Sequence, residues 1–215
     1  MTVAERVSLI FEEAQRLVLA AWKSAAIYLA GVTALGVLAD QDPEAIGMGF
    51  LLSGVQLGLG YFLLTQMIDK GGLADRRSAG FGTYFGLTLL SGIAIAVGLV
   101  FLLIPGIFLF VRWAPLYPVG LVDGDGIGAA MGKSFEMTKP HFWPILVALL
   151  PVTALQFVFL IGYLAIEPNY FTLPLLISTF GNLGISAGLI GITAVCTAVF
   201  ALLDNRNEKI AAVFD

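Results

Sequence analysis

The sequence predicts an all-α integral membrane protein with six transmembrane helices. Of its 215 residues, 59% are hydrophobic and 12% are charged, with a mean hydropathy of +0.94, whereas soluble domains average about 45–50% apolar and about 25% charged residues. The apolar residues also fall in long runs, and about 20 of them cross the hydrocarbon core of a bilayer as a helix. We therefore expect one membrane domain over residues 1–215, with spans at 17–38, 46–68, 81–103, 107–122, 142–166 and 174–203.

An amphipathic helix is predicted before the first span, over residues 2–16. Apolar residues recur there at helical spacing and charged residues occupy the other face. Thr2 and Glu5 have the spacing of a capping box, in which each side chain bonds a backbone amide of the helix start. We expect this helix to lie on the membrane surface; a face that docks on protein is the alternative.

A chain reversal is predicted at Pro105 and Gly106. The apolar stretch from Phe81 to Val122 is too long for one span, since each residue of a helix advances about 1.5 Å. Proline removes a backbone donor and glycine accepts unusual backbone angles, so the pair favours a tight turn between two spans. A single kinked and tilted helix is the alternative.

A second amphipathic helix is predicted over residues 127–139, with Asp125 as its N-cap and Pro140 at its end. The acidic turn at 123–126 superficially resembles a calcium-binding loop. However, the twelfth position of such a loop is Ser134 rather than glutamate, so we expect no calcium site.

Glycines in the second span predict close helix packing. Gly54 and Gly58 have the GxxxG spacing that lets two helix backbones approach each other in lipid.

The basic residues predict the orientation. The connectors at 39–45, 104–106 and 167–173 hold no lysine or arginine, whereas the other connectors and the two termini hold Arg6, Arg16, Lys70, Arg76, Arg77, Lys133, Lys139, Arg206 and Lys209. Because basic residues in short loops mark the cytoplasmic side, both termini and both amphipathic helices are expected there.

One charged residue, Arg112, lies well inside a predicted span. A charge at the centre of a span costs about 2.5–3.5 kcal/mol on insertion scales, so it is expected to meet a partner, a cavity or a lipid phosphate. The candidate partners are Asp69, Gln66, Gln156 and Asn182. Functionally, Arg112 with Gln66, Gln156 and Asn182 would contact a lipid or anion or line a path; structurally, Arg112 would snorkel or join helices.

Composition argues against several other classes. With one cysteine, Cys196, and one histidine, His141, the chain can form neither an internal disulfide nor a Cys/His metal site. No catalytic constellation or cofactor motif appears, so we expect neither an enzyme nor a cofactor. The acidic net charge of −4 disfavours nucleic acid as a partner.

One segment of about forty residues resembles a known family. The residues that carry the resemblance are Ile104-Pro-Gly-Ile107, Arg112-Trp113, Pro118, Asp123-Gly124, Ala129-Ala130, Lys133-Ser134-Phe135 and Met137-Thr138. They resemble the YciC-like bacterial inner-membrane family and the related membrane domain of some glycerophosphoryl diester phosphodiesterases, from which Met131, Phe135 and Lys139-Pro140 depart. The resemblance implies a six-helix bacterial membrane domain, largely without assigned activity. The phosphodiesterase chemistry of those relatives belongs to a separate soluble domain, so it is not carried over.

The sequence thus favours a non-catalytic protein of the bacterial cytoplasmic membrane that contacts lipids or organises partners in envelope homeostasis. Membrane lipids are the expected partners, together with a second copy of the chain or another membrane protein. The alternative is a small transporter or lipid flippase that uses Arg112 in a cavity between helices.

Overall fold

The computed structural model describes residues 1–41, 46–74, 77–101, 103–166 and 174–204, without the side chains of residues 46, 163, 164 and 166. In these ranges the chain forms a 3₁₀ turn, Lys139–His141, and nine α-helices: α1 Val3–Ala20, α2 Trp22–Gln41, α3 Ile46–Gly71, α4 Phe81–Phe101, α5 Leu103–Arg112, α6 Leu116–Asp123, α7 Ile127–Met137, α8 Phe142–Ile166 and α9 Leu175–Leu203. Among the described residues, six segments are long and apolar enough to cross a membrane, with α5 and α6 together forming the fourth. The predicted all-α, six-span membrane class is confirmed.

The first amphipathic helix is longer than predicted. It runs to Ala20, and the first span, α2, begins at Trp22 and ends at Gln41, where we expected 17–38. The capping box is present, with Thr2 N donating to Glu5 Oε2 at 2.8 Å and Glu5 N donating to Thr2 Oγ1 at 3.3 Å. The break falls at Ala21, where neither proline nor glycine signals it.

The apolar face of α1 is covered by the protein itself. Ile10, Ala14 and Leu17 are buried, and α1 packs against α3, α8 and α9. One continuous helix could not both lie across the end of the bundle, as α1 does, and enter the bundle as a span, as α2 does. The helix therefore breaks between α1 and α2. This face is therefore covered by helices of the same chain, and the position of α1 on the membrane surface stays a prediction.

The chain reverses between α4 and α5, earlier than predicted. A Cβ on Gly98 would lie 2.9 Å from the Cα of Gly106, whereas residues eight apart in one continuous helix are about 12 Å apart. The reversal is therefore real and the single kinked helix is excluded. The proposed position was wrong: Pro105 and Gly106 lie inside the first turn of α5, where a missing N–H costs no helical hydrogen bond.

The fourth span is broken, which the sequence analysis did not predict. We expected one helix over 107–122, but α5 ends at Arg112 and α6 begins at Leu116. Pro115 cannot donate to the carbonyl four residues before it, and its ring would clash with that carbonyl. The chain therefore turns at residues 113–115 before it continues as α6.

Glycines let α9 form the centre of the bundle. A Cβ on Gly188 would lie 2.9 Å from the Cα of Gln156 on α8, and one on Gly184 would overlap the ring of Phe159. Helices in lipid bind through such close approach. By contrast, a Cβ on Gly54 or Gly58 would meet no described atom within 4 Å, so the packing predicted for that pair is not made within this chain.

Polar features gather at the two ends of the bundle. One end, which we call the α7 end, holds α1, α7 and the 3₁₀ turn, and there Arg6 Nη1 lies 3.0 Å from His141 Nδ1. The other, which we call the Asp40 end, is where α2 ends and α9 begins. The predicted connector at 167–173, most of the one at 39–45 and the tail from residue 205 lie outside the described residues.

The termini of the second amphipathic helix differ from the prediction. It ends at Met137, and Pro140 lies in the 3₁₀ turn that follows it. Asp125 is not its cap: the N-cap is Gly126, at a φ of 92°, and no side chain caps the helix.

We expect Gly188→Ala to lower the thermal unfolding temperature in detergent, because the new methyl group would press on the backbone of α8. Overpacking of this kind costs about 1–3 kcal/mol. Gly54→Ala is the matched control, since its methyl group meets open space and alanine favours helix. Equal unfolding temperatures for Gly188→Ala and the unmodified protein would contradict the central role of α9.

Candidate functional site

The end of α5 is held by the second amphipathic helix. The backbone carbonyl of Arg112 accepts hydrogen bonds from Ser134 Oγ at 3.1 Å and Thr138 Oγ1 at 3.0 Å. Both hydroxyl-bearing residues are buried. The last four carbonyls of any helix lack intrahelical partners, and the break after Arg112 leaves this one inside the protein. The two hydroxyls therefore satisfy the carbonyl and fix α7 on α5.

The guanidinium of Arg112 lies among three aromatic rings. Its Cζ atom is 5.0 Å from the ring centres of Phe108 and Phe135 and 5.8 Å from that of Phe142. We call these rings the aromatic cage; they come from α5, α7 and α8, and the Phe108 ring is 5.8 Å from each of the others. A cation over an aromatic ring gains about 0.5–1 kcal/mol when exposed and about 2 kcal/mol when desolvated. The cage therefore stabilises the charge without neutralising it.

The hydrogen-bonding capacity of this guanidinium is not met. Nε and Nη1 of Arg112 are enclosed, and no described residue accepts a hydrogen bond from either. The third nitrogen, Nη2, is not among the enclosed atoms. An unsatisfied buried donor costs about 1–3 kcal/mol, which is comparable to what the rings contribute. The site therefore presents one positive charge through one open nitrogen.

The site lies near the polar boundary of the bundle. On and next to α7, Lys133 and Lys139 form ion pairs of 2.6 and 2.7 Å with nearby carboxylates. Exposed charges are costly in hydrocarbon, and an interfacial helix sinks only about 5–10 Å below the headgroups. Because Arg112 contacts α7 directly, it lies near the polar end of the bundle that holds α7. Trp143, 64% exposed beside the cage, is a residue type enriched at that level.

The structure does not bring the predicted partners to Arg112. Asp69 pairs instead with Arg77, at 3.1 Å between Oδ1 and Nε. Gln156 lies about 21 Å along α8 from Phe142, given 1.5 Å per residue. Gln66 is half-buried on α3, and Asn182 lies at the Asp40 end.

A second polar group forms where α2 meets α9. The Asp40 carboxylate accepts hydrogen bonds from Ser178 Oγ and from Asn182 Nδ2, the latter at 2.8 Å. Gly36 on α2 leaves the space that the Asn182 side chain occupies. Asp40 lies in the last turn of α2, where the dipole of its own helix disfavours an anion, but its carboxylate contacts Ser178 in the first turn of α9, where the dipole favours one. This group joins the two helices at the Asp40 end.

Two more polar groups, both hydroxyls, lie on α2 and α9 farther from the Asp40 end. Thr33 and Ser186 are buried, and no described residue bonds their hydroxyl groups. Ser178, Asn182 and Ser186 recur every four residues, a polar stripe that the sequence already displays. The sequence alone does not reveal its partner, because Asp40 falls in the expected connector at 39–45.

The aromatic cage was also missed. Phe108 stands four residues before Arg112, so this one contact could have been inferred from helical spacing. Phe135 and Phe142 could not, because only the folded arrangement brings α7 and α8 to the end of α5. Within the described ranges, no three His, Cys, Asp or Glu side chains come together to hold a metal ion.

No family model, curated protein or solved structure matches this chain. The YciC-like resemblance therefore stays a prediction.

We expect the double variant Ser134→Ala/Thr138→Val to loosen α7, because it leaves the Arg112 carbonyl buried without a donor at a cost of about 1–3 kcal/mol. Hydrogen exchange measured by mass spectrometry should show faster exchange across residues 127–138. Ser134→Ala alone should have a smaller effect, since Thr138 still bonds the carbonyl. Thr179→Val, which removes a bond to the residue's own helix, is the control; unchanged exchange in the double variant would refute this role.

Proposed function

We propose that this multi-pass membrane protein is a non-catalytic component of a bacterial cytoplasmic membrane that holds a membrane lipid at Arg112. The observation that carries the proposal is the guanidinium in the aromatic cage, which forms no salt bridge with a described carboxylate and whose third nitrogen, Nη2, is not among the enclosed atoms. With α7 as an interfacial helix, the site would lie close to the lipid phosphates, so membrane lipids are the source of anions that this proposal names.

The chemistry of the site fits a lipid phosphate. A hydrogen bond to a charged partner contributes about 1.5–3 kcal/mol, and an arginine N–H to a phosphate oxygen is of that kind. The planar guanidinium can stack on the rings while its open nitrogen faces outward, which a lysine ammonium cannot do. The aromatic cage holds the arginine in place, and a lipid phosphate would accept a hydrogen bond from Nη2, whereas the enclosed Nε and Nη1 lie out of its reach.

We propose further that the α7 end faces the cytoplasm. The described basic residues of the connectors, among them Lys70, Arg77, Lys133 and Lys139, lie at or near this end. Basic residues in short loops resist translocation.

Transport is the second candidate. The buried and unbonded hydroxyls of Thr33 and Ser186, together with Asp40, favour it, because polar groups inside a span often mark a path. They lie on the α2–α9 interface, away from the aromatic cage. A flippase would have to connect the two places, so we rank lipid holding first.

We expect Arg112→Met to reduce the phosphatidylglycerol retained by the purified protein by about tenfold or more, the equivalent of about 1.4 kcal/mol. Native mass spectrometry of protein extracted in mild detergent measures it. The fold should survive, because the backbone carbonyl of Arg112, not its side chain, holds α7. Lys139→Met removes the same charge at the same end and should retain lipid normally. Equal retention in the Arg112→Met variant and the unmodified protein would refute lipid holding at this residue.

A scrambling assay in liposomes separates the two candidates. Lipid holding predicts the background rate for all variants. A rate above background that disappears in Arg112→Met and persists in Lys139→Met would favour the flippase.

The orientation predicts the labelling of single cysteines in a Cys196→Ala background. Asp125→Cys, in the exposed turn before α7, should react with a membrane-impermeant maleimide only after the cells are permeabilised. Gln41→Cys, exposed at the end of α2, should react in intact cells. The reverse pattern would place the α7 end outside.

A further inference from the structure

We infer that the lipid held at Arg112 is a glycerophospholipid with a single net negative charge, whose acyl chains lie along exposed apolar side chains of α5 and α8. The inference rests on the proposed function and names the class of lipid that this site selects. It follows from the charge and access of the guanidinium and from the exposed apolar residues that continue from the aromatic cage.

The charge of the site matches a monoanionic headgroup. One guanidinium presents one open nitrogen between aromatic walls. A phosphomonoester, as in phosphatidic acid, carries up to a second charge that would remain uncompensated beside the rings, and an unpaired charge in apolar surroundings is costly. A phosphodiester with an uncharged alcohol brings one charge to one cation.

A zwitterionic headgroup fits less well. Its ammonium group would need a carboxylate or an open aromatic face, and the faces of the aromatic cage are already turned to Arg112. No salt bridge joins a described carboxylate to Arg112, and the described acidic side chains nearest to the site along the chain, Asp123 and Glu136, pair with lysines. The ammonium would therefore lie next to a cation without an anion of its own.

The apolar surface for the acyl chains begins at the aromatic cage. The helices α5 and α8 meet at Phe108 and Phe142. One turn from Phe108, away from α7, Ile104 is 81% exposed, and two turns beyond Phe142, Leu150 is 55% exposed. At about 100° per residue, Leu150 lies about 80° around α8 from Phe142, on the near margin of the exposed face. An acyl chain attached to a phosphate at Arg112 would run along these apolar side chains.

A competition among lipids tests the headgroup. The unmodified protein is equilibrated with equal amounts of phosphatidylglycerol, phosphatidic acid and phosphatidylcholine in mixed micelles at neutral pH, and the retained lipids are counted by native mass spectrometry. We expect phosphatidylglycerol to exceed each of the others by about tenfold, a preference of about 1.4 kcal/mol that one unpaired charge on the competing headgroup can supply. Arg112→Met should abolish the preference, and Lys139→Met should keep it.

The outcomes separate this inference from the proposed function. Retention of phosphatidic acid or phosphatidylcholine at the level of phosphatidylglycerol, still lost in Arg112→Met, would overturn the lipid class and leave lipid holding intact. Retention that does not depend on Arg112 would overturn both.

Two further arms test the position of the acyl chains and the source of the anion. Leu150→Trp should lower phosphatidylglycerol retention severalfold, because the larger side chain would obstruct the apolar surface next to the aromatic cage. Leu155→Trp, on the opposite margin of the exposed face of α8 and itself 44% exposed, should not; equal losses in both would overturn this position of the acyl chains. Inorganic phosphate and water-soluble glycerophosphoglycerol should not displace the lipid at equal concentration, and displacement by either would show that the site takes a free anion instead.

Discussion

Close approach to α9 is the constraint on which the rest of this bundle depends. Lipid hydrocarbon is as apolar as the helices themselves, so burial of apolar surface supplies little force between helices. How strongly two helices associate then depends on how closely they approach. Glycines at 184 and 188 let α8 reach α9, and Gly36 lets the Asn182 side chain reach α2. With α9 in place, its far end supports α1, which in turn meets the 3₁₀ turn before α8 through Arg6 and His141.

The site depends on a break in the fourth span. Pro115 ends α5 early, and the carbonyl of Arg112 is left to be bonded by Ser134 and Thr138. The same contact brings the side chain of Arg112 between rings of α5, α7 and α8. A continuous helix would have kept this carbonyl in its own hydrogen-bond ladder, and α7 would have lost its attachment. One local defect thus places a charge, positions an interfacial helix and builds the aromatic cage.

The two polar regions use their side chains differently. At the Asp40 end a carboxylate, a hydroxyl and an amide bond one another, so that group supports structure in its own right. At Arg112 the cation meets rings and keeps two enclosed nitrogens without a described acceptor. This difference is why we assign lipid contact to Arg112 and keep transport along the α2–α9 interface as the second candidate.

The sequence by itself determined the membrane class, the number of spans and the start of α1, because hydropathy, segment length and a capping box act over one helix or less. It also marked Arg112 as the unusual charge and predicted a reversal near Pro105. Only the tertiary structure decided where helices break without a glycine or proline, as at Ala21, which glycines pack, and what surrounds Arg112. Those outcomes depend on side chains far apart in the chain: Phe135 and Phe142 reach the guanidinium only because α7 and α8 fold back to the end of α5.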